Sequence, residues 1–81
     1  NNQHIIKLIL AIGDVEMSVK EMLNVLELKE RKSFISLYLN PAINEGYVSM
    51  LYPDSPRHPR QKYLLTVKGL AVYNEFKEME K

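Results

Sequence analysis

Apolar residues recur along this chain with two different periods, and the switch between them outlines a fold. Ile5, Leu8, Ile9 and Ile12 fall at i, i+3, i+4 and i+7, the stripe of a helix that buries one face. Gly13-Asp14 ends it. Ser18-x-x-Glu21 reads as a capping box, in which the hydroxyl accepts from an orphan N–H while the glutamate reaches back. Behind it Val19, Met22, Leu23 and Leu26 repeat the helical spacing, and Val15–Met17 before it is expected to be a short extended segment. A third helix is predicted from about Glu30 to Glu45, with Gly46 as its stop. Pro41 lies inside that pattern and is expected to end or kink the helix locally.

After Gly46 the period becomes extended. Tyr47–Tyr52 is rich in β-formers. Residues 53–60 hold three prolines and cannot form regular structure. Gln61–Leu65 is a second extended run, and Thr66 then caps a last helix that uses Val67, Leu70, Tyr73 and Phe76. The expected fold is α+β, mainly α: a winged helix-turn-helix of three helices, a small antiparallel β wing and a C-terminal helix. Residues 1–81 read as a single domain. The start at Asn1, with no initiator methionine, is expected to mark a piece of a longer protein.

Turned at about 100° per residue, the third helix gathers Lys29, Lys32, Ser33, Ser36, Asn40 and Asn44 on one side. Phe34, Leu37, Tyr38 and Ala42 define the other. Ile43 falls inside the polar arc, and Arg31 falls on the apolar side, where its stem is expected to snorkel. The polar arc has the chemistry of a recognition helix. Lysines suit phosphates or guanine edges, Asn40 suits adenine, and serines suit either. The proline-stiffened loop adds Arg57, His58, Arg60 and Lys62, candidates for contact with a DNA backbone or minor groove.

Charge supports the same division. The 81 residues carry 11 basic and 10 acidic groups, a net of +1, which taken whole argues against a polybasic binder. Residues 29–62, however, hold six basic groups against three acidic ones. Residues 1–28 are net negative and the remainder balances. The positive excess therefore sits on the third helix and the loop, the footprint of a nucleic-acid binder.

Two runs resemble a known family. Leu28-Lys29-Glu30-Arg31-Lys32-Ser33-Phe34 with Tyr38-Leu39-Asn40-Pro41-Ala42-Ile43-Asn44-Glu45-Gly46-Tyr47 is one. Tyr52-Pro53-Asp54-Ser55-Pro56 with Arg60-Gln61-Lys62-Tyr63-Leu64-Leu65-Thr66 and Lys68-Gly69 is the other. Together they resemble the winged-helix C-terminal module of bacterial Fic-family proteins and of helicase-related transcriptional regulators. The resemblance implies an accessory module. Fic proteins transfer AMP or a related group to hydroxyl side chains through a His-Pro-Phe-x-x-Gly-Asn-Gly-Arg-type loop. Here Gly13, Gly46 and Gly69 stand alone, and neither His4 nor His58 precedes such a run.

Other chemistry is not indicated. With no cysteine there is no disulfide, thiolate zinc site or cysteine nucleophile. The two histidines and scattered glutamates have no metal-ligand spacing, and no cofactor is expected. Ile5–Ile12 is too short to cross a membrane and is broken by Lys7. The expectation is a non-catalytic, cytoplasmic DNA-binding module of a bacterial regulator, its partner double-stranded DNA. The alternative is a protein-interaction or substrate-docking domain of a Fic-type AMP-transferring enzyme, partnered by the parent's other domains. A homodimer through the first or last helix is compatible with either.

Overall fold

The computed structural model describes residues 2–79. Helix α1 (Gln3–Ile12) is capped by Asn2, whose side chain accepts the His4 and Ile5 N–H groups, and buries Ile5, Leu8, Ile9 and Ile12. Each such side chain contributes roughly 1.5–3 kcal/mol by leaving water. Helix α2 (Val19–Leu26) starts at the complete Ser18/Glu21 capping box and buries Val19 and Met22. It ends where Glu27 takes the left-handed conformation, φ +57°. The Leu28 N–H there reaches back to the Leu23 carbonyl at 2.9 Å, one of the bonds of a Schellman stop.

Helix α3 spans residues 31–44 and runs through Pro41. It comprises an α-helical turn (Arg31–Phe34), a π-helical turn (Ile35–Leu39) and a second α-helical turn (Asn40–Asn44). Proline has no N–H for the carbonyl four residues back, here Leu37, and its ring presses on that carbonyl. The π turn absorbs this conflict: the Asn40 N–H bonds to the Ile35 carbonyl, five residues back. The expected break or kink is therefore replaced by a widened turn. A Schellman stop closes α3, with Gly46 at φ +80°, Gly46 N–H on the Ile43 carbonyl and Tyr47 N–H on the Ala42 carbonyl.

The extra residue in the π turn changes which side chains face inward. Phe34, Leu39 and Ala42 are buried, and the step from Phe34 to Leu39 is five residues rather than three or four. Leu37, expected inside, is 49% exposed. Ile43, expected in the polar arc, packs on the core. The uniform 100° turn fails because it holds only for an unbroken α-helix.

Strands β1 (Val48–Met50) and β2 (Tyr63–Leu65) pair antiparallel, with Val48 opposite Leu65 and Met50 opposite Tyr63. One further rung, the Leu51 N–H on the Lys62 carbonyl at 2.8 Å, extends the ladder. The segment before α2 joins at a single residue: Met17 exchanges both backbone bonds with Tyr63, at 2.9 and 2.7 Å. Helix α4 (Val67–Met79) follows. Its inward stripe is Gly69, Leu70, Val72, Tyr73 and Phe76, whereas Val67, expected to begin that stripe, is 86% exposed. Among the described residues no helix is long and apolar enough to cross a membrane. This arrangement of helices on a two-stranded hairpin is a mainly helical α+β fold compatible with the winged helix read from the sequence.

Substitutions at these junctions test three of these contacts. A methyl group on Gly69 would run into the Tyr47 carbonyl, so Gly69→Ala should cost roughly 1–3 kcal/mol in urea unfolding followed by circular dichroism. An unchanged midpoint would show that α4 can shift away freely. At α2, Ser18→Ala removes the acceptor of the Glu21 N–H and should cost about 1 kcal/mol. The Glu21 carboxyl is held below its usual range, first by the Ser18 backbone N–H, then by the Ser18 hydroxyl, with a smaller share from nearby Lys62. Its stabilisation is complete above the ordinary glutamate pKa of about 4.5 and is lost as pH falls through the lowered value. Stability of Glu21→Gln should therefore depend less on pH below about 4.5 than that of the wild type.

Candidate nucleic-acid interface

The wing, residues 51–62, is built on one side chain. Gln61 accepts the Tyr52 N–H on Oε1 at 2.9 Å and donates from Nε2 to the Tyr52 carbonyl at 2.8 Å. Its carboxamide thus stands in for the next rung of the hairpin, just where the backbone ladder stops. The same Nε2 also reaches the carbonyls of Ser55 (3.1 Å) and Pro56 (3.5 Å). Three successive turns fold the loop between, closed by Ser55 N–H to Tyr52, His58 N–H to Ser55 and Gln61 N–H to His58. The His58 ring stacks on Tyr52, centroids 4.0 Å apart and 14° from parallel. Its Nδ1 accepts the Arg60 N–H at 2.9 Å. Prolines stiffen the loop, as read from the sequence, but Gln61 gives it its shape.

The sequence candidates divide between α3 and the wing. Lys32, Ser33, Ser36, Asn40 and Asn44 are all exposed on α3, with Leu37 among them. Ser36 Oγ donates to the Ser33 carbonyl at 3.3 Å, within its own helix. Lys29, placed on the helical arc by its spacing, lies before the helix, whose N-cap is Glu30. Arg57 and Arg60 are exposed and His58 is half-buried. Lys62 is half-buried at the base of the hairpin and close enough to Glu21 to act on its charge. It is a neighbour of α2 rather than a tip of the wing.

The start of α3 and the wing meet at a cleft of about 690 Å³, lined by Arg31 and Ile35 of α3 and by Arg57 and His58 of the wing, while Lys32, Ser33, Ser36, Asn40 and Asn44 lie outside it. Lys20, from the first turn of α2, lines it too. Sequence reasoning missed both Lys20 and Arg31. Arg31 was assigned to the apolar side, yet it is exposed and sits at the cleft. The signal available for Lys20 was its place two residues after the Ser18 cap, at the head of the helix-turn-helix. Among the described residues no group of three or more His, Cys, Asp or Glu side chains could hold a metal ion.

Comparison with known proteins places this geometry. The sequence pattern described as "Filamentation induced by cAMP protein Fic-like, C-terminal domain" matches residues 3–66. The chain belongs to this Fic-like C-terminal domain family. A crystal structure of a Fic family protein from Desulfovibrio desulfuricans G20 is similar to it at 39% identity and a TM-score of 0.79, over 83% of this chain. The match spans 21% of that protein's length. No curated protein sequence matches.

A Fic-like C-terminal domain is not the catalytic part of a Fic protein, and the residues behind its resemblance here hold the architecture. Leu39 and Ala42 fill the core after the π turn, and Gly46 forms the stop of α3. Gln61 pins the wing and Tyr63 joins three segments of chain. Thr66 donates from its hydroxyl to the Gly46 carbonyl and accepts the Gly69 N–H at 3.1 Å. Lys68 Nζ bonds to the Glu45 carbonyl at 2.7 Å and lies 4.3 Å from the Tyr47 ring centroid. The run Thr66-x-Lys68-Gly69 thus fastens the head of α4 to the end of α3.

Gln61→Ala should loosen the wing selectively. Global stability is expected to fall by about 1 kcal/mol, while amide exchange at Ser55 and His58 rises by roughly tenfold or more. Hydrogen-exchange mass spectrometry or NMR would read this. Equal acceleration across the whole domain would show that the loop does not depend on Gln61 alone.

Proposed function

We propose that this Fic-like C-terminal domain is a non-catalytic module that binds double-stranded DNA, with the exposed face of α3 in the major groove and the wing along the backbone. The observation that supports it best is the cleft joining the start of α3 to the wing, because it puts Arg31 beside Arg57 and His58. Of the six basic residues in 29–62, Arg31 and Arg57 thereby share one cavity. Lys32, Ser33, Ser36 and Asn40 offer donors and acceptors suited to phosphates and base edges. A regulatory role in the parent protein extends this reading.

Modest charge sets the expected strength. Four phosphate contacts give a salt slope of about −3.6, and non-specific dissociation constants run roughly 10⁻⁴ to 10⁻⁶ M. Duplex titration at about 50 mM salt tests the proposal. Wild type should bind in the micromolar range, and Lys32→Ala with Arg57→Ala and Arg60→Ala should weaken it by tenfold or more, roughly 1.4 kcal/mol. No binding at high micromolar protein, or no loss in the triple variant, sinks the idea.

A second reading, docking onto other domains of a Fic protein, is favoured by a different surface. A groove of about 270 Å³ between α1 and α4 is lined by Ile6, Ile9, Val72 and Phe76, and shares no residue with the wing cleft. Residues outside the matched stretch make up about four-fifths of the similar crystallised protein, so a partner domain in the same polypeptide is the natural occupant. Chemical-shift changes at Val72 and Phe76 on adding the parent's other domains would favour this reading over DNA.

A further inference from the structure

The cleft holds more positive charge than the sequence candidates imply. Its cations are Lys20 from α2, Arg31 from α3 and Arg57 from the wing, and the His58 ring lines it beside them. Among the described residues its lining includes no aspartate or glutamate. The two nearest carboxylates along the chain are committed to backbone groups. Glu21 Oε1 accepts the Ser18 N–H at 2.9 Å, and Glu30 Oε1 accepts the Ser33 N–H at 3.4 Å.

Three permanent cations converging on one cavity repel one another unless a counter-charge enters. Their backbone positions are fixed by the fold. Lys20 and Arg31 are set by the first turns of two helices. Arg57 is held in the turn that Gln61 and the Tyr52–His58 stack fix in place. The walls between them include Ile35 and Tyr63, which lower the local dielectric and strengthen attraction for an anion. Two guanidiniums and an ammonium suit phosphate oxygens: the arginine fork engages two at once, and lysine acts as a point charge. At about 690 Å³ the cleft is far larger than a free phosphate ion needs.

We infer that the cleft seats one phosphate group of a duplex backbone, gripped by Lys20 and Arg31 on one wall and by Arg57 on the other. This rests on the DNA-binding reading and adds to it the contact that sets the register of α3 against the wing. It also assigns binding roles to Lys20 and Arg31, which lie outside the α3 face.

The test uses the 81-residue chain and its Lys20→Ala/Arg31→Ala double variant, both positions being exposed. Each is titrated with a fluorescent random-sequence duplex between about 50 and 200 mM salt. The variant's salt slope should be shallower by about 0.9, so that it loses about 3.5-fold less affinity across that range. A variant that binds with the wild-type slope and affinity overturns the phosphate seat and leaves DNA binding by the α3 face standing. A wild type that binds no duplex overturns the DNA reading itself. Inorganic phosphate then decides the cleft, followed by amide shifts at Lys20, Arg31 and His58. Shifts abolished in the double variant uphold a phosphate seat filled from another source, and their absence overturns it.

Discussion

The close approach of Gly69 to the Tyr47 peptide governs how this domain is assembled. At that point the end of α3, the start of β1 and the head of α4 share one small volume, and a side chain on residue 69 has nowhere to go. Bonds reinforce the contact from both directions: Thr66 N–H to the Tyr47 carbonyl at 3.0 Å, and Lys68 Nζ to the Glu45 carbonyl. Lys68 also completes the electrostatics, because a cation at a helix C-terminus offsets the negative end of the dipole. The turn after α3 is thereby fixed in angle. Since β1 leaves from that turn and returns as β2, the angle between the helix and the hairpin follows from it. A wing that lies beside the start of α3 is a consequence of a joint at the other end of α3.

The π turn performs a second service. An α-helix of regular pitch carrying Phe34 inward would present Leu37 and Tyr38 next, and would leave Leu39 outside. Pro41 makes that pitch unfavourable, and the widened turn brings Leu39 onto the core line beside Ala42, while Tyr38 stays packed against the core. Exposure of Leu37 is the complement of that gain. One constraint, a proline that a helix must accommodate, decides both what α3 buries and what it shows to a partner.

Much of this was legible in the sequence, because most elements announce themselves locally. The α1 stripe, the Ser18/Glu21 box, the Gly46 stop and the proline-rich loop each depend on residues within a few positions of one another, and each took the expected form. What was not legible depended on phase or distance. Leu37 and Ile43 depart from the expected faces together, because the π turn breaks the uniform 100° step in the middle of α3. Val67 shares the spacing of Leu70 but stays exposed, because the close approach of Gly69 to Tyr47 turns the face of Gly69, Val72, Tyr73 and Phe76 inward. Lys29 and Lys62 show another limit: spacing tells which face a residue shares only inside an element, and Lys29 precedes the Glu30 cap while Lys62 lies just before β2. The convergence of Lys20 with Arg57 joins positions far apart in the chain, and nothing in either neighbourhood announces it.

The near-neutral charge of the chain acquires a different meaning once the fold is known. Averaged, +1 over 81 residues says little for an anionic partner. The fold concentrates the positive groups by drawing Lys20, from a net-negative stretch of sequence, into the same cleft as Arg31 and Arg57. At the same time Glu21 and Glu30 are withdrawn into helix caps, where their charge is partly answered by backbone N–H groups. Helix capping and charge segregation are thus one arrangement here: the carboxylates that start α2 and α3 satisfy the helix ends, and the cations beside them are left facing the cleft. A surface made this way attracts anions over a short range only, about 8–10 Å at ordinary ionic strength.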